Sequence, residues 1–147
     1  MTQDKSKNNL DEADILLDEI GDYMSSPIFS VDHDSSVQEA AQTMHSSNVG
    51  SVLVKEYDDY VGIVTETDLS RKVVSKGLDP ETTKVTKIMT KPLQTMDRFF
   101  PVEEANQFMH KNKIRHLAIT ENEKVVGMLS VKDLVGYYAK TSFKMQE

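Results

Sequence analysis

The stretch Gly62-Ile-Val-Thr-Glu-Thr-Asp68 returns 65 residues later as Gly127-Met-Leu-Ser-Val-Lys-Asp133. The same offset, applied without a gap, aligns further identical residues along both halves of the chain. These pairs include Met24/Met89, Pro27/Pro92, Asp32/Asp97, Val37/Val102, Ala40/Ala105, Met44/Met109 and Leu69/Leu134. Only two copies of this length fit into 147 residues. The repeat therefore excludes a solenoid and predicts two similar α/β units that pack on each other.

The composition is that of an ordinary globular protein, with 38% hydrophobic and 28% charged residues. The absence of cysteine removes disulfides, thiolate nucleophiles and thiolate metal sites. There is no apolar run near 18 residues and no secretion signal at the start, so we expect a cytoplasmic protein without a membrane span. The net charge of −7 is concentrated in residues 1–22, and no basic face is evident. Nucleic acid is therefore not an expected partner.

Hydrophobic periodicity predicts the element order strand, helix, strand, strand, helix in each copy. For the first copy the expected elements are a strand at 28–31, a helix after the capping box Ser36-Val-Gln-Glu39, strands at 49–54 and 60–65, and a helix at 68–75. For the second copy they are a helix with Pro101 at its first position, strands at 114–119 and 125–130, and a last helix at 131–139.

The segments that follow from this order have clear boundaries in the sequence. They are an acidic N-terminal tail and helix (1–19), a first repeat (20–77), a turn-rich linker (78–84), a second repeat (85–141) and a C-terminal tail (142–147). Residues 10–23 have the pattern of a short acidic amphipathic helix, which either repeat can accept. Because this helix runs directly into Met24-Ser-Ser-Pro27, we expect it beside the cleft of the first repeat.

The repeated Gly-x-x-Thr/Ser-x-x-Asp motif suits a ribose and its phosphate. The glycine leaves room for a flat group, and the hydroxyl lies where strand becomes helix, near free N–H groups that favour phosphate. The carboxylate can accept two hydrogen bonds from a vicinal diol. Ordinary helix capping by Thr65 with Asp68, and by Ser130 with Asp133, explains the same pattern and stays open at this point.

The element order, the two copies, the Met-x-x-Pro openings and the motif endings together resemble the cystathionine-β-synthase (CBS) domain family. The chain looks like a stand-alone tandem pair of such domains, also called a Bateman module, over about residues 20–141. The resemblance implies an α/β fold of the α+β type, with two βαββα units related by pseudo-two-fold symmetry. It also implies clefts that bind AMP, ADP or ATP, with NAD and S-adenosylmethionine as further candidates.

The resemblance also implies roles for individual residues, with the motif hydroxyl on phosphate and the aspartate on ribose. In the first copy the implied nucleotide-binding residues are Gly62, Thr65, Thr67 and Asp68, with Ile28, Phe29 and Ser30 against the adenine. In the second copy they are Gly127, Ser130, Lys132 and Asp133, with Leu93, Gln94 and Thr95 against the adenine. Arg115 and His116 match a family position for a basic phosphate ligand. A solvated strand edge is the alternative for Arg115, and a plain surface position is the alternative for Lys132.

The sequence holds no Ser–His–Asp set with supporting motifs, no Walker-type loop and no metal-ligand spacing, so we expect neither an enzyme nor a metal site. We expect a sensor module that binds an adenine nucleotide and regulates an effector protein in trans. The alternative is a structural or interaction module with unoccupied clefts. The family resemblance predicts a homodimer, which extra aromatic residues of the second copy also favour. These residues are Phe99, Phe100, Phe108, Tyr137 and Tyr138.

Overall fold

The computed structural model describes residues 18–146 and shows two copies of one βαββα arrangement. The chain divides into two compact units. The Asp68 unit is Pro27–Gln94, and the Asp133 unit joins the chain up to Ser26 with the chain from Thr95 onward. Of the helices in the described chain, none combines the length and the apolar character needed to cross a membrane.

The Asp68 unit contains a three-stranded sheet in the order β1-β2-β3. Strand β1 runs parallel to β2, and β2 runs antiparallel to β3. The parallel pair needs a crossover connection, which the first helix supplies, while a tight turn suffices for the antiparallel pair. The elements are β1 (Ser30–Asp32), α1 (Val37–Ser47), β2 (Ser51–Glu56), β3 (Asp59–Thr65), α2, which is α-helical over Glu66–Asp68 and π-helical over Leu69–Val74, and a 3-10 helix at Val85–Lys87.

The Asp133 unit repeats this plan, with sheet order β4-β5-β6 and the same parallel and antiparallel pairings. Its elements are a 3-10 helix (Ile20–Asp22), β4 (Thr95–Asp97), α3 (Val102–Asn112), β5 (His116–Glu121), β6 (Lys124–Ser130) and α4 (Val131–Gln146). Pro101 is the N-cap of α3 with an extended ψ of 144°, so the prediction that it is the first helical residue is wrong by one position. Within the described part of the predicted N-terminal helix, only Ile20–Asp22 is helical, and residues 10–17 lie outside that part.

The identical pairs of the repeat are largely core residues. Helix α1 begins at the N-cap Ser36, whose side chain accepts the Glu39 N–H (3.1 Å), and ends at Asn48 in the left-handed region. Its apolar face lies in the core of the Asp68 unit, and the matching face of α3 lies in the core of the Asp133 unit. The matched buried residues are Val37, Ala40 and Met44 on α1, and Val102, Ala105 and Met109 on α3.

Each unit contains the opening segment of the other repeat. Ser25, from the opening of the first repeat, pairs with Met128 on β6 through two backbone hydrogen bonds of 2.7 and 3.0 Å. Thr90, from the opening of the second repeat, pairs in the same way with Ile63 on β3 (2.8 and 3.1 Å). The expectation that the N-terminal segment lies beside the first motif is therefore wrong for residues 18–26, which belong to the Asp133 unit.

Candidate functional site

The motif glycines are explained by contacts within the chain. A Cβ atom built on Gly62 would lie 2.8 Å from Met89 Sδ and 3.0 Å from the Thr90 carbonyl oxygen. The same atom on Gly127 would lie 2.5 Å from Met24 Sδ and 3.0 Å from the carbonyl oxygen of Ser25. The exchanged opening segments thus fill the space beside each motif glycine, which was expected to accept a flat ligand group. The paired methionines of the Met-x-x-Pro openings share one role, which is to pack on the motif glycine.

The motif carboxylate of the Asp68 unit is buried and fully engaged. Its Oδ2 accepts the backbone N–H of Thr65 (3.0 Å) and the Thr65 hydroxyl (3.2 Å), which forms a capping box at the start of α2. Its Oδ1 accepts the Thr90 hydroxyl (3.0 Å) and lies 2.8 Å from Lys72 Nζ. Asp68 is only 4% exposed, and capping accounts for both contacts of Oδ2, while Thr90 and Lys72 contact Oδ1.

The motif carboxylate of the Asp133 unit has fewer partners. Its Oδ2 accepts the N–H (2.9 Å) and the hydroxyl (3.0 Å) of Ser130, as in the first copy. The Ser25 hydroxyl lies 3.3 Å from Oδ1 and 3.4 Å from Oδ2, at the long end of hydrogen-bond distances. Asp133 is half-buried, and among the side chains described for residues 18–142 no lysine or arginine forms an ion pair with it.

Several predicted phosphate contacts meet at the start of α4. The Val131 N–H donates to the Arg115 carbonyl oxygen (3.0 Å), which fixes the Arg115 backbone at the helix N-terminus. His116 is the register partner of Ser130 across β5 and β6. Lys132 and Arg115 are exposed and His116 is half-buried. In the first turn of this 16-residue helix the Val131 and Asp133 N–H groups already have partners, the Arg115 carbonyl and the Ser130 hydroxyl, so what favours an anion here is the helix dipole together with the basic residues.

The matching position in the Asp68 unit carries no such charge. The Glu66 N–H donates to the Gly50 carbonyl oxygen (3.2 Å), so a glycine stands where the other unit has Arg115. Glu66 and Thr67 are both exposed in the first turn of α2. Electrostatics therefore favours an anionic ligand at α4 over one at α2.

The residues predicted to hold adenine are distributed between the two units. Ser30 on β1 is paired with Leu53, and the Phe29 carbonyl accepts the Leu53 N–H (3.0 Å). Thr95 on β4 is paired with Ala118 in the Asp133 unit. Ile28 is half-buried and belongs to the Asp68 unit. Leu93 and Gln94 also belong to that unit, so the structure does not join them with Ser130 and Asp133 in one unit.

A pocket occurs at the same place in both units, between the first helix and the helix after the motif. In the Asp68 unit it measures about 340 Å³ and is lined by residues that include Gly50, Glu66 and Leu69. In the Asp133 unit it measures about 1010 Å³. The larger pocket has an apolar part that includes Val131, Leu134, Val135 and Tyr138, and a basic part that includes Lys111, Lys113 and Arg115. Neither motif aspartate lines these pockets.

A charged cluster in the Asp68 unit was not predicted from the sequence. The side-chain ligand atoms of Asp32, His33 and Asp34 lie within 4.8 Å of one another. Asp32 Oδ1 accepts the Asp34 N–H (3.0 Å), so a local turn brings the acids together. Lys84 Nζ lies 3.5 Å from Asp34 Oδ1 and partly neutralises the cluster. The adjacency of two acids and a histidine was the signal available in the sequence.

Tyr137 of α4 differs from the expectation that it serves a dimer interface. Tyr137 is 4% exposed and belongs to the core of the Asp133 unit, where its hydroxyl donates to Asp18 (3.1 Å). Burial, followed by this hydrogen bond, raises the pKa of Tyr137 above its usual range. Burial and a hydrogen bond to Glu103 likewise raise the pKa of the half-buried Tyr138.

The sequence pattern of the CBS domain matches residues 20–75 and 85–140. This chain belongs to the CBS domain family. The CBS domain-containing protein YhcV of Bacillus subtilis is 30% identical over 115 residues, which cover 78% of this chain and 81% of YhcV. The crystal structure of an uncharacterized conserved protein from Pyrococcus horikoshii superposes with a TM-score of 0.79 at 32% identity, covering 84% of this chain and 93% of that protein.

Other relatives are longer than the part that matches this chain. A hexameric CBS-CP12 protein from bloom-forming cyanobacteria has a TM-score of 0.76 at 27% identity, over 82% of this chain and 67% of that protein. The chain spans only about half the length of two other curated relatives, at 50% and 52%. The family is generally regulatory, so the chain contains a regulatory module of two CBS domains.

Proposed function

We propose that this CBS pair regulates an effector protein by binding an adenosine nucleotide in the Asp133 unit. The observation that carries the proposal is the state of the Asp133 carboxylate. It is half-buried, it has capacity for further hydrogen bonds on Oδ1, and it lies one helical turn from a basic helix N-terminus. The proposal includes no catalytic step.

The chemistry assigns each group of the nucleotide to a part of the site. A ribose diol donates to Asp133, because an ionised carboxylate accepts up to four hydrogen bonds and charge-assisted bonds are the strong ones. A phosphate lies near Ser130, Lys132, Arg115 and His116 at the start of α4, the positive end of the helix dipole. The adenine remains the base because the family resemblance implies it.

Titration calorimetry and thermal shift with AMP, ADP and ATP test this proposal. A nucleotide at about 100 times its dissociation constant adds about 2.7 kcal/mol of stability, which is readily seen as a higher melting temperature. We expect Asp133→Asn to weaken binding by about tenfold or more, because the lost bonds are charge-assisted. Asp58→Asn, in the exposed turn between β2 and β3, is the matched control and leaves the affinity unchanged. No heat and no thermal shift with all three nucleotides at millimolar concentration would refute the proposal.

A second candidate function has support in the Asp68 unit. There the motif is occupied by the chain's own Thr65, Lys72 and Thr90, which favours a structural role for that copy. If the Asp133 motif is equally inert, the module is a structural or interaction domain with unoccupied clefts. NAD and S-adenosylmethionine belong in the same thermal-shift panel, since either would distinguish a different nucleotide from no ligand.

We also propose that the chain forms a homodimer in the cytoplasm. Phe99 and Phe100 are 56% and 46% exposed, and Val135 on α4 is 63% exposed. Apolar groups of this size on a surface favour an interface. Sedimentation of the protein at tens of micromolar should give about twice the 16.6 kDa of one chain. A monomer mass at that concentration would contradict the dimer.

A further inference from the structure

The Asp68 carboxylate has four hydrogen-bond donors for its four acceptor positions. The backbone N–H and hydroxyl of Thr65 donate to Oδ2 at 3.0 and 3.2 Å. The Thr90 hydroxyl (3.0 Å) and the Lys72 ammonium (2.8 Å) donate to Oδ1. An ionised carboxylate offers about four lone-pair sites, so none is left for a ligand diol.

The Lys72 ammonium is held in this position by further contacts. It donates to the Ile88 carbonyl oxygen (3.0 Å) and lies 3.3 Å from the Thr90 hydroxyl. Both of these residues come from the exchanged opening of the second repeat. The Asp68 side chain is 6% exposed, and a carboxylate removed from water holds an adjacent cation strongly. A diol would have to displace this ammonium and leave the buried Asp68 carboxylate without its counter-ion.

The other repeat shows what the motif looks like without the lysine. At the offset of 65, the position of Lys72 is taken by Tyr137, an uncharged residue whose hydroxyl donates to Asp18 (3.1 Å). Asp133 keeps the Ser130 bonds and the hydroxyl of the opening segment, here Ser25, and has no ion pair among the described residues. The two copies thus share the capping bonds and a hydroxyl from an opening segment, and they differ in the ammonium and in the longer distances of the Ser25 hydroxyl.

We propose that Lys72 is an internal cation that occupies the ribose acceptor Asp68 and closes the first motif to nucleotide. The chain then binds one nucleotide per chain, at Asp133, although both copies keep the complete motif. This inference rests on the proposed function for the identity of the ligand. Lys72 acts here by excluding the ligand and touches no nucleotide itself.

The test is titration calorimetry with AMP on five proteins: wild type, Asp68→Asn, Asp133→Asn, Lys72→Met and the double variant Lys72→Met/Asp68→Asn. We expect one AMP per wild-type chain, an affinity within about twofold of wild type for Asp68→Asn, and a loss of about tenfold or more for Asp133→Asn. Lys72→Met should gain a second site, which the added change Asp68→Asn removes again. Two sites in the wild type, or an equal loss from Asp68→Asn and Asp133→Asn, would overturn the proposal.

The experiment also separates this inference from the proposed function. If wild type binds no AMP and Lys72→Met binds one, the closure by Lys72 holds and the Asp133 site is wrong. If neither protein binds AMP, both are wrong. Because Lys72→Met leaves Asp68 without its counter-ion, Lys72→Gln is the second variant, since its amide can still donate to the Ile88 carbonyl. A folded Lys72→Gln protein without a second AMP site would count against the closure as well.

Discussion

Replacing Gly127 by alanine should destabilise the protein through the exchanged opening segment. The new Cβ would lie 2.5 Å from Met24 Sδ and 3.0 Å from the Ser25 carbonyl oxygen. The Met24 side chain must rotate away, and the Ser25 backbone must shift by a few tenths of an ångström, which strains the two backbone hydrogen bonds that Ser25 shares with Met128. Straining these bonds costs up to about 2 kcal/mol, and overpacking adds about 1–3 kcal/mol.

Part of this cost is offset in the unfolded chain. Alanine has fewer accessible conformations than glycine in the unfolded chain, and this difference offsets about 0.4–1 kcal/mol of the loss. The expected net loss in the free energy of unfolding is therefore about 1–4 kcal/mol. Urea denaturation followed by circular dichroism measures this difference as a lower midpoint with an unchanged slope.

Gly136 provides the matched control for this change. It lies inside α4, and a Cβ built on it has no heavy atom within 4 Å. Gly136→Ala should stabilise the protein by about 0.5–1 kcal/mol, because glycine is a poor residue in a helix interior. If Gly127→Ala were neutral or stabilising like the control, the close packing of Met24 and Ser25 on β6 would be wrong.

Three further changes have expected outcomes. Tyr137 has a raised pKa in the folded state, so its contribution to the free energy of unfolding is complete below about pH 10 and is lost progressively as the pH rises above that value. The urea midpoint should therefore fall less between pH 8 and pH 11 for Tyr137→Phe than for wild type. An equal fall in both proteins would contradict this. Ser36→Ala should cost about 0.5–2 kcal/mol through loss of the α1 cap, and no shift of the melting temperature would count against it. Arg115→Ala should change stability by less than about 0.5 kcal/mol yet weaken ATP more than adenosine, whereas an equal effect on both ligands would exclude a phosphate contact.

The sequence predicted the core and the element order because both depend on local periodicity. Val37, Ala40 and Met44 recur at helical spacing, and their matches in the second copy take the same buried positions. The start of α3 was misplaced by one residue because a proline has a suitable φ both as N-cap and as first helical residue. Boundaries of this kind depend on ψ, which the residue type does not determine.

The exchange of opening segments could not be predicted from one sequence. Met24-Ser25 and Met89-Thr90 are nearly equivalent, and each pair fits a Gly-containing strand equally well. Local chemistry therefore does not say which opening packs on which motif. Only the course of the whole chain decides this, and the structure assigns Ser25 to β6 and Thr90 to β3.

The proposed closure of the first motif, in contrast, has a signal in the sequence. Lys72 follows Asp68 by four residues in a predicted helix, a spacing at which opposite charges meet. The second copy has Tyr137 in place of that lysine. A basic residue near the motif aspartate, compared between the two copies in the same way as the basic residues near the phosphate position, distinguishes the two sites from the sequence.

Hydrogen exchange with and without saturating AMP tests the central claim most directly, because it locates the ligand without any mutation. The account predicts slower exchange over residues 127–134 and at Ser25, whose N–H is bonded to Met128 beside the Asp133 motif. Residues 62–69 and Thr90, in the closed motif of the other unit, should exchange at the same rate in both conditions. Protection confined to residues 62–69, or no change in either motif, would contradict the account.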